Sequence, residues 1–145
     1  PAQLVEQLAR GKCLTVSAQH PGDVVIGCDT VVDVNGEVFG KPHSVENAKR
    51  MLRALSGATH EVHTGVCISD GKRTESFVDS CKVAFFPLSE EEIERYAATQ
   101  EPYDKAGAYA IQGRAALWLD RIEGDYYTIM GLPLSRTVQL LAHFM

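Results

Sequence analysis

The sequence predicts one α/β or α+β domain, a mixed sheet with helices packed against it. Three observations carry that prediction. Segments of helical period alternate along the chain with short runs rich in Val and Ile. Two hairpin signals, Asn35-Gly36 and Asp70-Gly71, each join a pair of such runs. The 145 residues, 45% hydrophobic and 23% charged, suffice for one domain with a sizeable core.

Leu4, Val5 and Leu8 share one face of a helix over residues 2 to 12. No strand precedes it, an abrupt start for an α/β domain, so the chain is expected to lack its beginning. Asp23 to Gly27 reads as a short buried strand, and Val31 to Val34 with Glu37 to Phe39 as a hairpin. Ser44 can cap a helix whose apolar face is Val45, Ala48, Met51, Leu52 and Leu55, and Gly57 ends it. Residues 60 to 88 read as two strands around Asp70-Gly71. Ser89 and Glu92 form a capping box for a helix with an acidic first turn. The stretch from Ala110 to Ile122 reads as strands around Gly113, and Ser135 to Phe144 as a last helix after a loop.

The totals narrow the function. No apolar run reaches the length of a membrane span and no signal peptide opens the chain, so a cytoplasmic location is expected. A net charge of −5 provides no basic field for long nucleic acid, although a few converging Lys and Arg could still hold a small anion. Cys13, Cys28, Cys67 and Cys81 include no C-x-x-C pair, which reads as reduced thiols in or near the core.

Several residues stand out as chemical candidates. Asp29 follows a buried-type strand, "VVIGC", where a carboxylate is costly unless it is paired, hydrogen-bonded or metal-bound. A ligand-binding role at a strand end and a simple turn cap weigh equally. Lys41, in "GKP" just before a helix, can point at an anion, or can be a solvated surface lysine. The segment is not a Walker A loop. In "YDKAGAYAIQG", Asp104 and Lys105 can pair with each other or serve a metal and a phosphate. Gln112 lies between Ile111 and Gly113, and its amide offers a donor and an acceptor suited to a base edge. The bland alternative is a glutamine on the open face of a strand. His60 and His63 point to opposite faces of a strand and do not readily share a metal, so both read as structural or exposed. Glu123 and Asp125 flank a turn.

"VVIGCDTVV", "GKP", "AKRMLRALSGATHEVHTGV", "EPYDKAGAYAIQG" and "IEGDYYTIMGLPL" occur in the order and spacing of one family. Together they resemble the Maf family of nucleoside triphosphate pyrophosphatases, from about Leu8 to the final helix. The resemblance implies an α/β fold: an elongated mixed sheet with flanking helices and two lobes around a cleft, similar to the inosine triphosphate pyrophosphatases. Residues 1–145 would be one Maf-like domain. The implied reaction cuts dTTP and UTP, with CTP or modified pyrimidine nucleotides as further substrates, to the monophosphate and pyrophosphate. It needs a divalent metal, magnesium or manganese.

By position, Asp29 matches the catalytic aspartate, which would take a proton from the attacking water, help hold the metal, or both. Thr30 and Gln112 match the positions tied to substrate choice. Lys41 and Lys12 would touch phosphate, and Asp104 and Lys105 match the D-K-A-G motif at the cleft. The resemblance also implies a homodimer and a house-cleaning role. The family's opening strand and S-x-S-P-R-R phosphate loop have no counterpart here, so the domain reads as N-terminally incomplete. That missing loop motivates a rival reading: a catalytically impaired nucleotide-binding or interaction module linked to septum formation in cell division.

Overall fold

The computed structural model describes every residue from Pro1 to Met145. In chain order the elements are α1 (Ala2–Gln19), β1 (Val25–Val34), β2 (Glu37–Phe39), α2 (Val45–Leu55), β3 (Thr59–Ser69) and β4 (Thr74–Phe85). They continue with α3 (Glu90–Ala97), β5 (Leu119–Glu123), α4 (Tyr126–Met130) and α5 (Leu134–Leu141). The strands form one sheet in the order β2-β1-β3-β4-β5, with β1–β2 and β4–β5 antiparallel. This is an α/β fold with flanking helices, as the sequence predicts. No helix is long and apolar enough to cross a membrane.

The chain divides into two compact units. One comprises Pro1–Thr30, His63–Ser80 and Asp125–Met145, the other Val31–Val62 and Cys81–Gly124.

In the first unit, α1 lies close against the strands. Its buried stripe is Val5, Ala9, Cys13 and Ser17, at spacings of four. This differs from the predicted face. Val5 is in place, but Leu4 and Leu8 remain 39% and 41% exposed. The small residues win because the strands present glycines to the helix. A Cβ on Gly65 would lie 2.4 Å from the Val5 carbonyl oxygen, and one on Gly27 would lie 2.8 Å from the Ala9 carbonyl oxygen. Ala9, Cys13 and Cys67 form a shared apolar cluster. The four thiols are free and three are buried, as expected.

The second unit packs α2 and α3 with the aromatic residues. Ser44 accepts from the Asn47 amide to start α2, and Ser89 with Glu92 forms the complete capping box of α3. Phe85 meets His60 and Tyr109 edge-on, with centroids 5.2 and 4.9 Å away. His60 Nε2 also lies 2.7 Å from the Tyr109 hydroxyl. The Asn35-Gly36 hairpin forms as predicted, with both residues at positive φ.

The structure corrects several boundaries. Helix α1 runs on to Gln19 instead of stopping at residue 12. Residues 25–27 and 31–34 are not separate strands but belong to one, β1, which starts at Val25 and carries Asp29 in its interior. The stretch from Ala110 to Ile122 is a turn followed by a 3-10 helix, Arg114–Trp118, and only its end lies in a strand, Leu119–Glu123. The loop before the last helix contains the short helix α4, capped by Asp125. The last α-helix ends at Leu141, with a 3-10 turn following.

Two stability effects follow. Gly65→Ala forces α1 away from β3 and should cost about 2 kcal/mol or more, seen as a lower urea midpoint. Unchanged stability would mean the helix does not sit this close. His60 is buried, and desolvation pushes its pKa down from 6.5 to about 4. Between those values the unfolded chain binds a proton that the folded chain refuses. Stability is therefore full above pH 6.5 and falls as the pH drops toward 4, by about 3 kcal/mol in all. Denaturant titrations at pH 7 and 4.5 check this, and His60→Gln should flatten the difference.

Candidate functional site

Asp29 is kept in the middle of β1 by a partner far away in sequence. Lys12, on α1, places its Nζ 2.9 Å from Asp29 Oδ1 and 3.5 Å from the Cys28 carbonyl oxygen. The contact follows from the helix packing: Cys13 stacks on Gly27, and the preceding residue reaches the carboxylate two positions further along the strand. The side chains are 58% and 22% exposed, so the pair is open to solvent and to ligands. A pair this exposed adds little stability, which leaves its arrangement available for chemistry.

Thr30 follows Asp29 on the strand and therefore points to the opposite face of the sheet. Its Oγ1 lies 2.8 Å from that of Thr64, which lies 2.8 Å from the Thr128 carbonyl oxygen. A carbonyl can only accept, so the single proton of Thr64 goes to Thr128. Thr30 must then donate its own proton to Thr64. What remains on the Thr30 oxygen is lone-pair density, an acceptor for any further partner.

In the second unit, Asp104, Lys105 and Gln112 border one cavity, and Lys41 lies near Asp104. The Gly107 amide donates to the Gly40 carbonyl at 3.0 Å, which ties the "GKP" turn to the "DKAG" segment. Lys105 Nζ contacts Asp104 Oδ1 at 3.1 Å. That hydrogen bond, with the charges of Lys105 and then Lys41, holds the Asp104 carboxyl below its usual range. The segment needs glycine at 107: φ is +74°, and a Cβ would meet Val32 Cγ2 at 2.6 Å. Ala108, at φ +69°, is also left-handed, a cost that non-glycine residues carry mainly where a site requires it.

A cavity of about 740 Å³ opens beside this segment, lined by Gln100, Glu101, Tyr103, Asp104, Lys105, Ala110, Gln112 and Gly113. Its size suits a small-molecule ligand. Gln112 is exposed on a turn between buried Ile111 and half-buried Gly113, not on a strand.

The structure thus gathers the sequence candidates into groups: Lys12 with Asp29, Thr30 with a hydroxyl chain, and Asp104, Lys105 and Gln112 around one cavity, with Lys41 close enough to act on Asp104. His60 and His63 are structural, bonded to Tyr109 and Ser80 at 2.7 Å each. Asp125 does turn chemistry, accepting from the Tyr127 amide. Sequence reasoning overlooked Thr64, Tyr96 and Glu101. Thr64 looks like any strand threonine, and Glu101 like a loop carboxylate. Only Gly113 hinted at Glu101, as a position with no room for a side chain.

The profile of the family described as Maf-like protein matches residues 1–144. The chain belongs to the Maf family. Among its Maf relatives, the dTTP/UTP pyrophosphatase of Geobacillus sp. is 53% identical over 139 residues, covering 96% of this chain and 75% of the relative. That of Symbiobacterium thermophilum is 51% identical over 144 residues, 99% of this chain and 74% of the relative. That of Bacillus velezensis is 49% identical over 144 residues, 99% of this chain and 76% of the relative.

Proposed function

We propose that this Maf protein hydrolyses dTTP and UTP to the monophosphate and pyrophosphate. The observation that carries the reading is its identity of about half with relatives named dTTP/UTP pyrophosphatase along nearly its whole length. The Lys12–Asp29 pair, a solvent-accessible cation beside a strand carboxylate, supports it within the first unit.

Asp29 takes the proton of the attacking water. The water oxygen bonds to the α-phosphorus, the bond to the bridging oxygen breaks, and pyrophosphate leaves with its electron pair. Lys12 orients the Asp29 carboxylate through Oδ1 and is at hand for a phosphate oxygen. Within the second unit, Lys41 and Lys105 are positive charges that the family resemblance assigns to phosphate, on a chain that is acidic as a whole. Gln112 offers an amide to the base. Thr30 faces away from Asp29 and can only accept, so its part in substrate choice rests on the family resemblance alone.

No cluster of three or more His, Cys, Asp or Glu side chains stands ready to cage an ion. A magnesium or manganese ion that arrives with a triphosphate requires less, because one or two carboxylates plus phosphate oxygens suffice. Asp29 fits that role: Lys12 engages Oδ1, and Oδ2 is the oxygen left for a cation. Bound there, a divalent ion supplies charge neutralisation and a more acidic water. Release from the cytoplasmic nucleotide pool would make this a house-cleaning enzyme, working as a homodimer.

The test is pyrophosphate release by the full-length protein from dTTP, UTP, CTP and GTP with magnesium or manganese. Release should be fastest from dTTP and UTP. Asp29→Asn should lower the rate roughly 10²-fold or more without unfolding the protein. A folded Asp29→Asn protein with undiminished turnover would sink the assignment. A folded wild type that binds these nucleotides without cleaving them would favour the impaired binding module instead.

A further inference from the structure

We infer that Tyr96 and Glu101 are positioning residues for base choice, holding the turn that carries Gln112. The inference rests on the reading of Gln112 as the residue that meets the base.

The turn is stitched at both ends. The Ala110 amide donates to the Tyr96 hydroxyl oxygen at 3.2 Å. The same hydroxyl donates to Glu101 Oε2. The Arg114 amide reaches Glu101 Oε1 at 3.4 Å, and the Gly113 amide closes the turn on the Ala110 carbonyl at 3.0 Å. Tyr96 and Glu101 therefore connect residue 110 to residue 114, with Gln112 at the exposed apex. Ile111, 2% exposed, anchors the base of the turn.

The carboxylate also explains Gly113. A Cβ there would fall 2.1 Å from Glu101 Oε1, so glycine is what lets the backbone close onto the acid. Charge-assisted bonds of this kind are about twice as strong as neutral ones, and the donor, Tyr96, is buried. Burial and the Glu101 bond together push the Tyr96 phenol above its ordinary range, so it stays a donor at all physiological pH.

Tyr96 does not line the cavity beside Gln112, whereas Glu101 does. That difference makes the two separable. A residue acting through the turn should alter base choice without touching the substrate. A side chain with a purely structural role should affect all nucleotides alike.

The experiment compares kcat and KM for UTP and CTP in the full-length wild type, Tyr96→Phe, Glu101→Gln and Glu101→Leu, with folding checked by circular dichroism. In Tyr96→Phe the preference for UTP over CTP should fall about tenfold, mainly through KM for UTP, with kcat within a few-fold. Amide exchange at Ala110 and Arg114 should accelerate in the same variant. Glu101→Gln keeps an acceptor for Tyr96 and should retain more of the preference than Glu101→Leu, and this pair carries the test if Tyr96→Phe does not fold. A wild-type preference that survives unchanged in folded Tyr96→Phe overturns the inference and leaves the proposed function standing. Wild type that cleaves no nucleotide removes the function and the inference together.

Discussion

The close approach of α1 to β1 and β3 governs the first unit. Gly27 and Gly65 have no side chains because helix backbone occupies the space where a Cβ would stand. A contact of this kind cannot relax by rotating a side chain, so it sets the helix at one height and one rotation above the strands. Lys12 inherits that placement. A slip of one residue along the helix would swing it by about 100° around the axis and away from Asp29. The same packing keeps Asp29 inside a strand: an acidic residue there is tolerable because a cation is delivered to it.

The second unit relies on a different constraint. Its site segment is not regular structure, so no ladder of backbone bonds holds it. Long-range partners hold it instead. The Gly40 carbonyl receives the Gly107 amide, and Val32 presses on Gly107. Two consecutive left-handed residues, Gly107 and Ala108, turn the chain so that Lys105 and Gln112 border one cavity. Such a conformation lasts only when the surroundings over-determine it, and here they come from two separate stretches of chain, those of Val32 and Gly40.

Local chemistry was readable and long-range compensation was not. Asn35-Gly36, Ser44 and the Ser89–Glu92 box define their turns and helix starts through atoms a few residues apart, and each formed as read. Asp29 was legible as an anomaly, but its lysine lies seventeen residues back, so the strand was broken where it in fact continues. Ala110 to Ile122 carries strand-like residues, yet Tyr96 and Glu101 capture the amides that a sheet would need. The family resemblance named Thr30 and Gln112; their supporting partners, Thr64, Tyr96 and Glu101, carry no signature a single sequence displays.

The hydroxyl chain through Thr64 has an entropic consequence. A free threonine hydroxyl samples three staggered wells, and freezing one of them costs about 0.6 kcal/mol. In this protein folding has already done so: the rotor of Thr30 is held by Thr64, which is itself held by the Thr128 carbonyl. A donor arriving at Thr30 meets a lone pair that is already aimed and needs no reorientation before the bond forms. The same frozen rotor cannot turn to greet an acceptor, so tolerance for the wrong partner is lost along with the freedom.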